Sequence, residues 1–158
     1  MTAIKKIMGQ AENYEQWKSI SSHYDQLPPV QQLVNEVYSP YYDYEYLQAL
    51  IDCMTKAREE GDALQLTEVI RSHSDRNVAN SNCPFLYRHA FNLSKGLIEE
   101  YQKELARDFQ MIIKSDIPQS KKLEFFGEVR HAIGRSALLL SGGAIMGMYH
   151  IGVVQALI

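Results

Sequence analysis

Apolar side chains recur every three or four positions along most of this chain, which is the spacing of helices that bury one face. The pattern continues to about residue 132 and is interrupted at Pro28-Pro29, Ser39-Pro40 and residues 115–118. It therefore predicts a mainly helical domain. The apolar positions that define the predicted core faces are Tyr14, Trp17, Tyr24, Val30, Leu33, Val34, Val37, Leu47, Leu50, Ile51, Met54, Ala57, Leu66, Val69, Ile70, Leu97, Ile98, Tyr101, Leu105, Phe109, Ile112, Leu123, Phe126 and Val129.

Local signals mark several of the predicted helix ends. Asp43 and Asp62 stand where a side-chain oxygen can cap the first turn of a helix. Gly61 stands where a helix can end in a left-handed residue. Residues 72–84 are rich in Ser, Asn and Asp, whose side chains compete with the helical backbone for hydrogen bonds. The sequence predicts helices on either side of Gly61 and a loop over 72–84.

Residues 137–158 contain no Asp, Glu, Lys or Arg. A helix of that length spans a bilayer, and Gly143 begins a G-x-x-x-G, the spacing of helix pairs in membranes. Two features oppose a membrane anchor. The adjacent Gly142 and Gly143 are unfavourable within a helix and divide the apolar run. In lipid, His150 and Gln155 would also need polar partners, so the anchor is the second interpretation of this segment.

The same segment is better explained as a strand, a turn and a helix. Residues 136–140 form a short apolar run, which is typical of a buried parallel strand. Gly142 and Gly143 then supply a tight turn, and a buried helix with an apolar pattern begins near Ile145. Backbone N–H groups at such a helix start converge into a site for a phosphate or a transient oxyanion. The chain lacks the G-K-[ST] of a P-loop, which disfavours the phosphate.

Two parts of the sequence match known patterns. Residues 134–157 resemble the opening of the patatin-like phospholipase domain, in the eukaryotic triacylglycerol lipase branch of that family, with the sequence GRSALLLSGGAIMGMYHIGVVQAL. Upstream, three stretches resemble the helical domain of unknown function that precedes the patatin domain in those lipases: LTEVIRSHSDRNV (66–78), FLY (85–87) and SKGLIEEY (94–101). Together the resemblance covers nearly the whole chain.

The resemblance implies a serine acyl-ester hydrolase with a Ser-Asp dyad. In that family a glycine-rich loop supplies the oxyanion hole, and the positions carried over to this chain are Gly142, Gly143, Ala144 and Gly147. Ala144 stands where the family has its third glycine, and Met146 stands where many patatins have a basic residue. Alanine keeps the N–H donor but resists positive φ angles, so Ala144 is the position where the donor geometry departs most from the family pattern.

The dyad itself is not found in these 158 residues, because they contain no G-x-S-x-G, no D-G-G and no D-G-A. Ser141 lies at the predicted strand end, but its neighbours give only half of a nucleophile elbow, and we expect its hydroxyl to cap the turn. A single parallel strand also lacks a pairing partner. We therefore expect this chain to be an N-terminal fragment or a truncated gene product, inactive as a hydrolase on its own.

Composition and charge argue against several classes of protein and of site. A formal net charge of −3 without clustered Lys and Arg gives no basis for nucleic-acid binding. The five histidines lack metal-ligand spacings, and Cys53 and Cys83 lie far apart, so neither a metal site nor a disulfide framework is predicted. No cofactor is expected. The first residues contain no apolar run of the length of a secretory signal, which favours a cytoplasmic protein.

Some polar and aromatic residues have two interpretations. The tyrosines of residues 38–46 either seal a helix junction, which we favour, or form an aromatic surface for lipid or a partner helix. His150 either positions a substrate or is an ordinary helix residue, which we favour. The third group consists of Arg71, Asp75, Arg76 and Asn77. These residues either bind a lipid headgroup or hold their loop together by hydrogen bonds, and we favour the second interpretation.

The sequence thus predicts two parts. Residues 1–132 form a helical accessory domain, and residues 133–158 begin an α/β patatin-like hydrolase domain with its first β-strand, glycine loop and helix. The resemblance implies a neutral lipid or phospholipid ester as substrate, and a protein peripheral to a lipid droplet or membrane. The alternative is a non-catalytic helical interaction module with a C-terminal membrane anchor. The sequence leaves the oligomeric state and the choice between glyceride and phospholipid open.

Overall fold

A computed structural model of the chain describes residues 8–133 and 148–157. These residues form α-helices joined by short connections and by 3-10 turns at Val78–Asn80 and Pro84–Tyr87. The prediction of a mainly helical domain is confirmed, whereas the predicted β-strand and glycine loop lie outside the described residues. The helices are α1 (Tyr14–Asp25), α2 (Pro28–Asn35), α3 (Tyr44–Glu59), α4 (Ala63–His73), α5 (Gly96–Lys114), α6 (Gln119–Ile133) and α7 (Met148–Leu157).

The predicted caps at the α3–α4 junction are confirmed. Oδ1 of Asp43 accepts a hydrogen bond from the Tyr46 amide at 3.0 Å, and Oδ1 of Asp62 accepts one from the Gln65 amide at 2.9 Å. Gly61 follows the end of α3 with a φ of 72°. Its amide and the next one donate back to the carbonyls of Arg58 and Ala57, at 3.1 and 3.3 Å, which completes a Schellman motif.

Helix α2 is shorter than its apolar pattern predicts. Pro28 and Pro29 occupy its first turn. Backbone N–H groups of a first turn have no intrahelical acceptor, so proline, which lacks this group, is tolerated there. The helix ends at Asn35, so Val37 lies beyond it and is 46% exposed. The C-terminal carbonyls of Leu33 and Glu36 accept hydrogen bonds from the buried ammonium group of Lys95, at 2.7 and 3.1 Å. A distant side chain therefore satisfies this helix end, which no local pattern predicts.

The core lies between α3, α4, α5 and α6. Helix α3 packs against α4 and α5, and α6 packs on α4. Burial of each large aliphatic side chain stabilises the fold by roughly 1.5 to 3 kcal/mol. The buried core residues on these helices are Leu47, Leu50, Ile51, Met54, Ala57, Leu66, Ile70, Leu97, Ile98, Ile112, Phe125 and Val129.

The core face of α6 differs from the predicted one. Phe125 and Val129 are buried, Phe126 is partly buried, and Leu123 is 67% exposed. The ring of Phe125 meets those of Phe109 and Phe126 edge to face, with centroids 6.3 and 5.0 Å apart. The prediction of Leu123 as a core residue is wrong because two adjacent phenylalanines allow two apolar stripes. Packing against α4 and α5 selects between them.

Candidate functional site

The predicted oxyanion residues Gly142, Gly143, Ala144 and Gly147 lie outside the described residues, as does Ser141. The structure describes the two helices that flank these residues in sequence. Helix α6 ends at Ile133, and α7 begins at Met148. The helix predicted after the glycine loop is therefore present.

Helix α7 presents an apolar surface. Tyr149, Ile151 and Val153 are 71%, 60% and 45% exposed, and a Cβ added at Gly152 would meet nothing within 4 Å. The helix that the sequence predicts to be buried is exposed at these three residues in the part of the chain that the structure describes. An apolar helix of this kind needs a packing partner to become stable in water.

An ion cluster joins α3 to α5 inside the helical body. Nη1 of Arg58 donates to Oδ1 of Asp108 at 2.5 Å, and its Nη2 donates to Glu104. Arg107 donates to the second oxygen of the Glu104 carboxylate. Asp108 is fully buried, and its Oδ2 is a buried oxygen that accepts no hydrogen bond from the residues that the structure describes. We call these four residues the ion cluster.

Burial and charge act in opposite directions within the ion cluster. Burial raises the pKa of Asp108, the hydrogen bond and charge of Arg58 lower it, and the Glu104 charge raises it again, with a raised pKa as the result. Desolvation lowers the pKa of Arg58, but its bonds to the two carboxylates outweigh that influence, so the pKa is raised. Since Asp108 has no exposed surface, no substrate can reach its carboxylate. The ion cluster is an interhelical clamp.

A groove of about 870 Å³ lies between the α3–α4 turn and the α5–α6 connection. Its apolar lining comes from Leu64, Met111, Ile117 and Pro118. The Ser115 hydroxyl within it donates to the Ile112 carbonyl at 2.7 Å and is therefore engaged. Such a groove can accommodate an apolar group. Its rim carries both signs of charge, from Glu60, Asp62, Asp116, Lys114 and Lys121.

The polar residues at the start of the 72–84 loop make hydrogen bonds within the fold. Nε of Arg71 donates to Glu128 of α6 at 2.5 Å, and its Nη1 donates to Glu68 at 2.7 Å. The hydrogen bond that Arg71 donates to Glu128 also raises the Arg71 pKa. The Asn77 amide donates to Asp75, and the Arg76 carbonyl accepts from Asn82. These contacts support the interpretation that the group holds the loop together.

The tyrosines of residues 38–46 divide into two groups. Tyr42 is buried and donates through its hydroxyl to the Val37 carbonyl at 2.5 Å, and Tyr44 is partly buried beside it. These two seal the junction before α3, as predicted. Tyr38, Tyr41 and Tyr46 are 64%, 42% and 40% exposed, although the Tyr38 ring packs edge to face on that of Tyr44, with centroids 5.9 Å apart.

Within residues 8–133 and 148–157, no group of three or more His, Cys, Asp or Glu side chains is placed to hold a metal ion. In the same ranges no helix combines the length and the hydropathy needed to cross a bilayer. Cys53 is exposed and Cys83 partly buried, and both are free thiols.

Sequence patterns did not predict the polar residues that hold the body together over long distances. Asp25 is 3% exposed and accepts the amides of Phe91 and Asn92 at 2.7 and 2.8 Å. Arg58 and Asp108 lie fifty positions apart. The sequence signals this pair only by placing an acidic residue, Asp108, on the apolar face of a helix. Such a residue is rarely tolerated there unless it is paired.

Comparison with known proteins places the chain among lipase relatives. The family model described as "Domain of unknown function (DUF3336)" matches residues 1–131. Triacylglycerol lipase 4 of Saccharomyces cerevisiae is 34% identical over 157 residues, and triacylglycerol lipase SDP1L of Arabidopsis thaliana is 33% identical over 157 residues. Triacylglycerol lipase ptl2 of Schizosaccharomyces pombe is 31% identical over 159 aligned positions. The resemblance found in the sequence is thereby confirmed.

The relatives are much longer than this chain. Each of the three alignments covers 98% of the chain but only 17%, 19% and 25% of the respective relative. The chain thus spans about a fifth of the length of these curated relatives. No solved structure matches it.

Proposed function

The chain belongs to the DUF3336 family, and from this we propose that it is the N-terminal part of a patatin-like serine acyl-ester hydrolase acting on triacylglycerol or phospholipid. One observation carries the proposal. The relatives named triacylglycerol lipases align with 98% of the chain, so the similarity extends through the helical body into residues 134–157. Those residues hold the glycine-rich sequence in which an oxyanion loop is predicted.

The helical body supports this proposal by the way it holds α6, the helix that leads into residue 134. Phe125 and Val129 fix α6 to the core, and Glu128 binds Arg71 of α4 at 2.5 Å. Preorganised donors stabilise an oxyanion only when their supporting elements are rigid. We propose that residues 1–132 act as an accessory domain that provides such support.

The proposed chemistry uses backbone donors. As a serine attacks the ester carbonyl, negative charge develops on its oxygen, and N–H groups of the loop at Gly142, Gly143, Ala144 and Gly147 stabilise it. Each such donor is commonly worth about 3 to 4 kcal/mol in the transition state. The serine nucleophile and the aspartate base come from sequence outside these 158 residues, and the reaction requires no metal. Water accepts the acyl group, and the enzyme works peripherally at a droplet or membrane surface.

The test uses a protein that joins this chain to its coding continuation, assayed on emulsified trioleoylglycerol and on phosphatidylcholine. Gly143→Pro deletes one N–H donor and is expected to lower kcat by about 100- to 1000-fold. Gly127→Ala is the matched control, because a Cβ there meets nothing within 4 Å. Ala144→Gly restores the family residue and is expected to retain activity.

Two results would contradict the proposal. The first is hydrolysis that Gly143→Pro leaves unchanged in a protein that remains folded by circular dichroism. The second is a joined protein that hydrolyses neither ester, which would favour the non-catalytic helical module instead. Hydrolysis by the 158-residue chain alone would contradict the placement of the dyad outside it.

A further inference from the structure

We draw no further inference here: the strongest candidate, the apolar groove between the α3–α4 turn and the α5–α6 connection, carries both signs of charge at its rim, and nothing in the described part of the structure shows what covers it.

Discussion

Arg58 holds two carboxylates of a neighbouring helix with one guanidinium group. Asp108 is fully buried and Glu104 is nearly so, so both depend on this cation for compensation of their charge. Removing one partner from a buried ion pair costs far more than the pair contributes over a neutral core, because the other charge remains desolvated. At the scale of single residues, the stability of the body is therefore most sensitive at Arg58.

Arg58→Gln is expected to lower the free energy of unfolding by about 3 to 5 kcal/mol, because it leaves two buried carboxylates without their cation. Urea denaturation of the 158-residue chain measures the loss. Arg107→Gln is the matched control, since Arg107 binds the same Glu104 but its side chain is 66% exposed. Its expected loss is about 1 kcal/mol or less. Equal losses in the two variants would contradict the clamp.

The raised pKa of Asp108 predicts a pH dependence. The folded state binds this proton more tightly than the unfolded state, so the contribution of the group to stability is complete below the ordinary Asp pKa. That contribution is lost as the pH rises through the folded pKa. Asp108→Asn removes the titration, so its unfolding free energy should decline less with pH above about pH 4. Asp52→Asn, at an exposed position, is the control. Equal slopes of unfolding free energy against pH in Asp108→Asn and in the parent chain would contradict the assignment.

At the scale of helices, the features that could be predicted from the sequence are the caps, which depend only on neighbouring residues. Asp43, Gly61 and Asp62 were identifiable because a cap involves only residues within one turn. The end of α2 was not predictable, because the ammonium group that satisfies it belongs to Lys95, far along the chain. The face of α6 was not predictable either, since Leu123 and Phe125 fit equally good apolar stripes.

Two glycines on or beside these helices should respond to alanine with opposite signs. Gly61 has a φ of 72° and nothing within 4 Å of an added Cβ, so Gly61→Ala meets only backbone strain. Its expected cost is about 1 to 2 kcal/mol. Gly127 lies in the exposed interior of α6, where alanine should stabilise by about 0.5 to 1 kcal/mol. Thermal unfolding measures the melting temperature of both variants. Shifts of the same sign would contradict the Schellman assignment.

At the scale of the whole molecule, buried polar side chains help to attach α1 and α2 to the helical core. Asp25 receives the amides of Phe91 and Asn92, and Lys95 donates to the last carbonyls of α2. The apolar contacts of this hairpin lie outside the main core cluster: Val30 and Val34 are buried on α2, and the Tyr24 ring packs edge to face on Phe91. The hairpin should therefore open as a unit of lower stability than α3 and α5.

Asp25→Ala leaves two backbone amides without their acceptor and is expected to weaken this attachment by roughly 1 to 3 kcal/mol. Hydrogen exchange should then accelerate about 5- to 150-fold in α1, while α3 and α5 keep their protection. Asp52→Ala, on the exposed face of α3, should change neither region. Uniform acceleration over α1, α3 and α5 would show that the hairpin and the core open together.

The candidate site could be predicted from sequence only in part. The order of apolar run, glycines and apolar helix in residues 136–157 predicts an anion site, and its resemblance to patatin-like lipases suggests an oxyanion loop. The exposed rings of Tyr41 and Phe85 were not predictable as a pair, because their stacking joins two distant loops. A serine elbow and its aspartate have no signal in these 158 residues, so the dyad can only be sought beyond them.

The most direct test of the proposed lipase assignment is to sequence the natural transcript beyond codon 158. The proposal predicts an open frame that encodes a G-x-S-x-G and, farther on, a D-G-G or D-G-A. A nucleophile and a base would then accompany the loop at Gly142, Gly143, Ala144 and Gly147. A stop codon directly after Ile158 would leave the chain without a nucleophile and contradict the proposal that it forms part of a serine hydrolase.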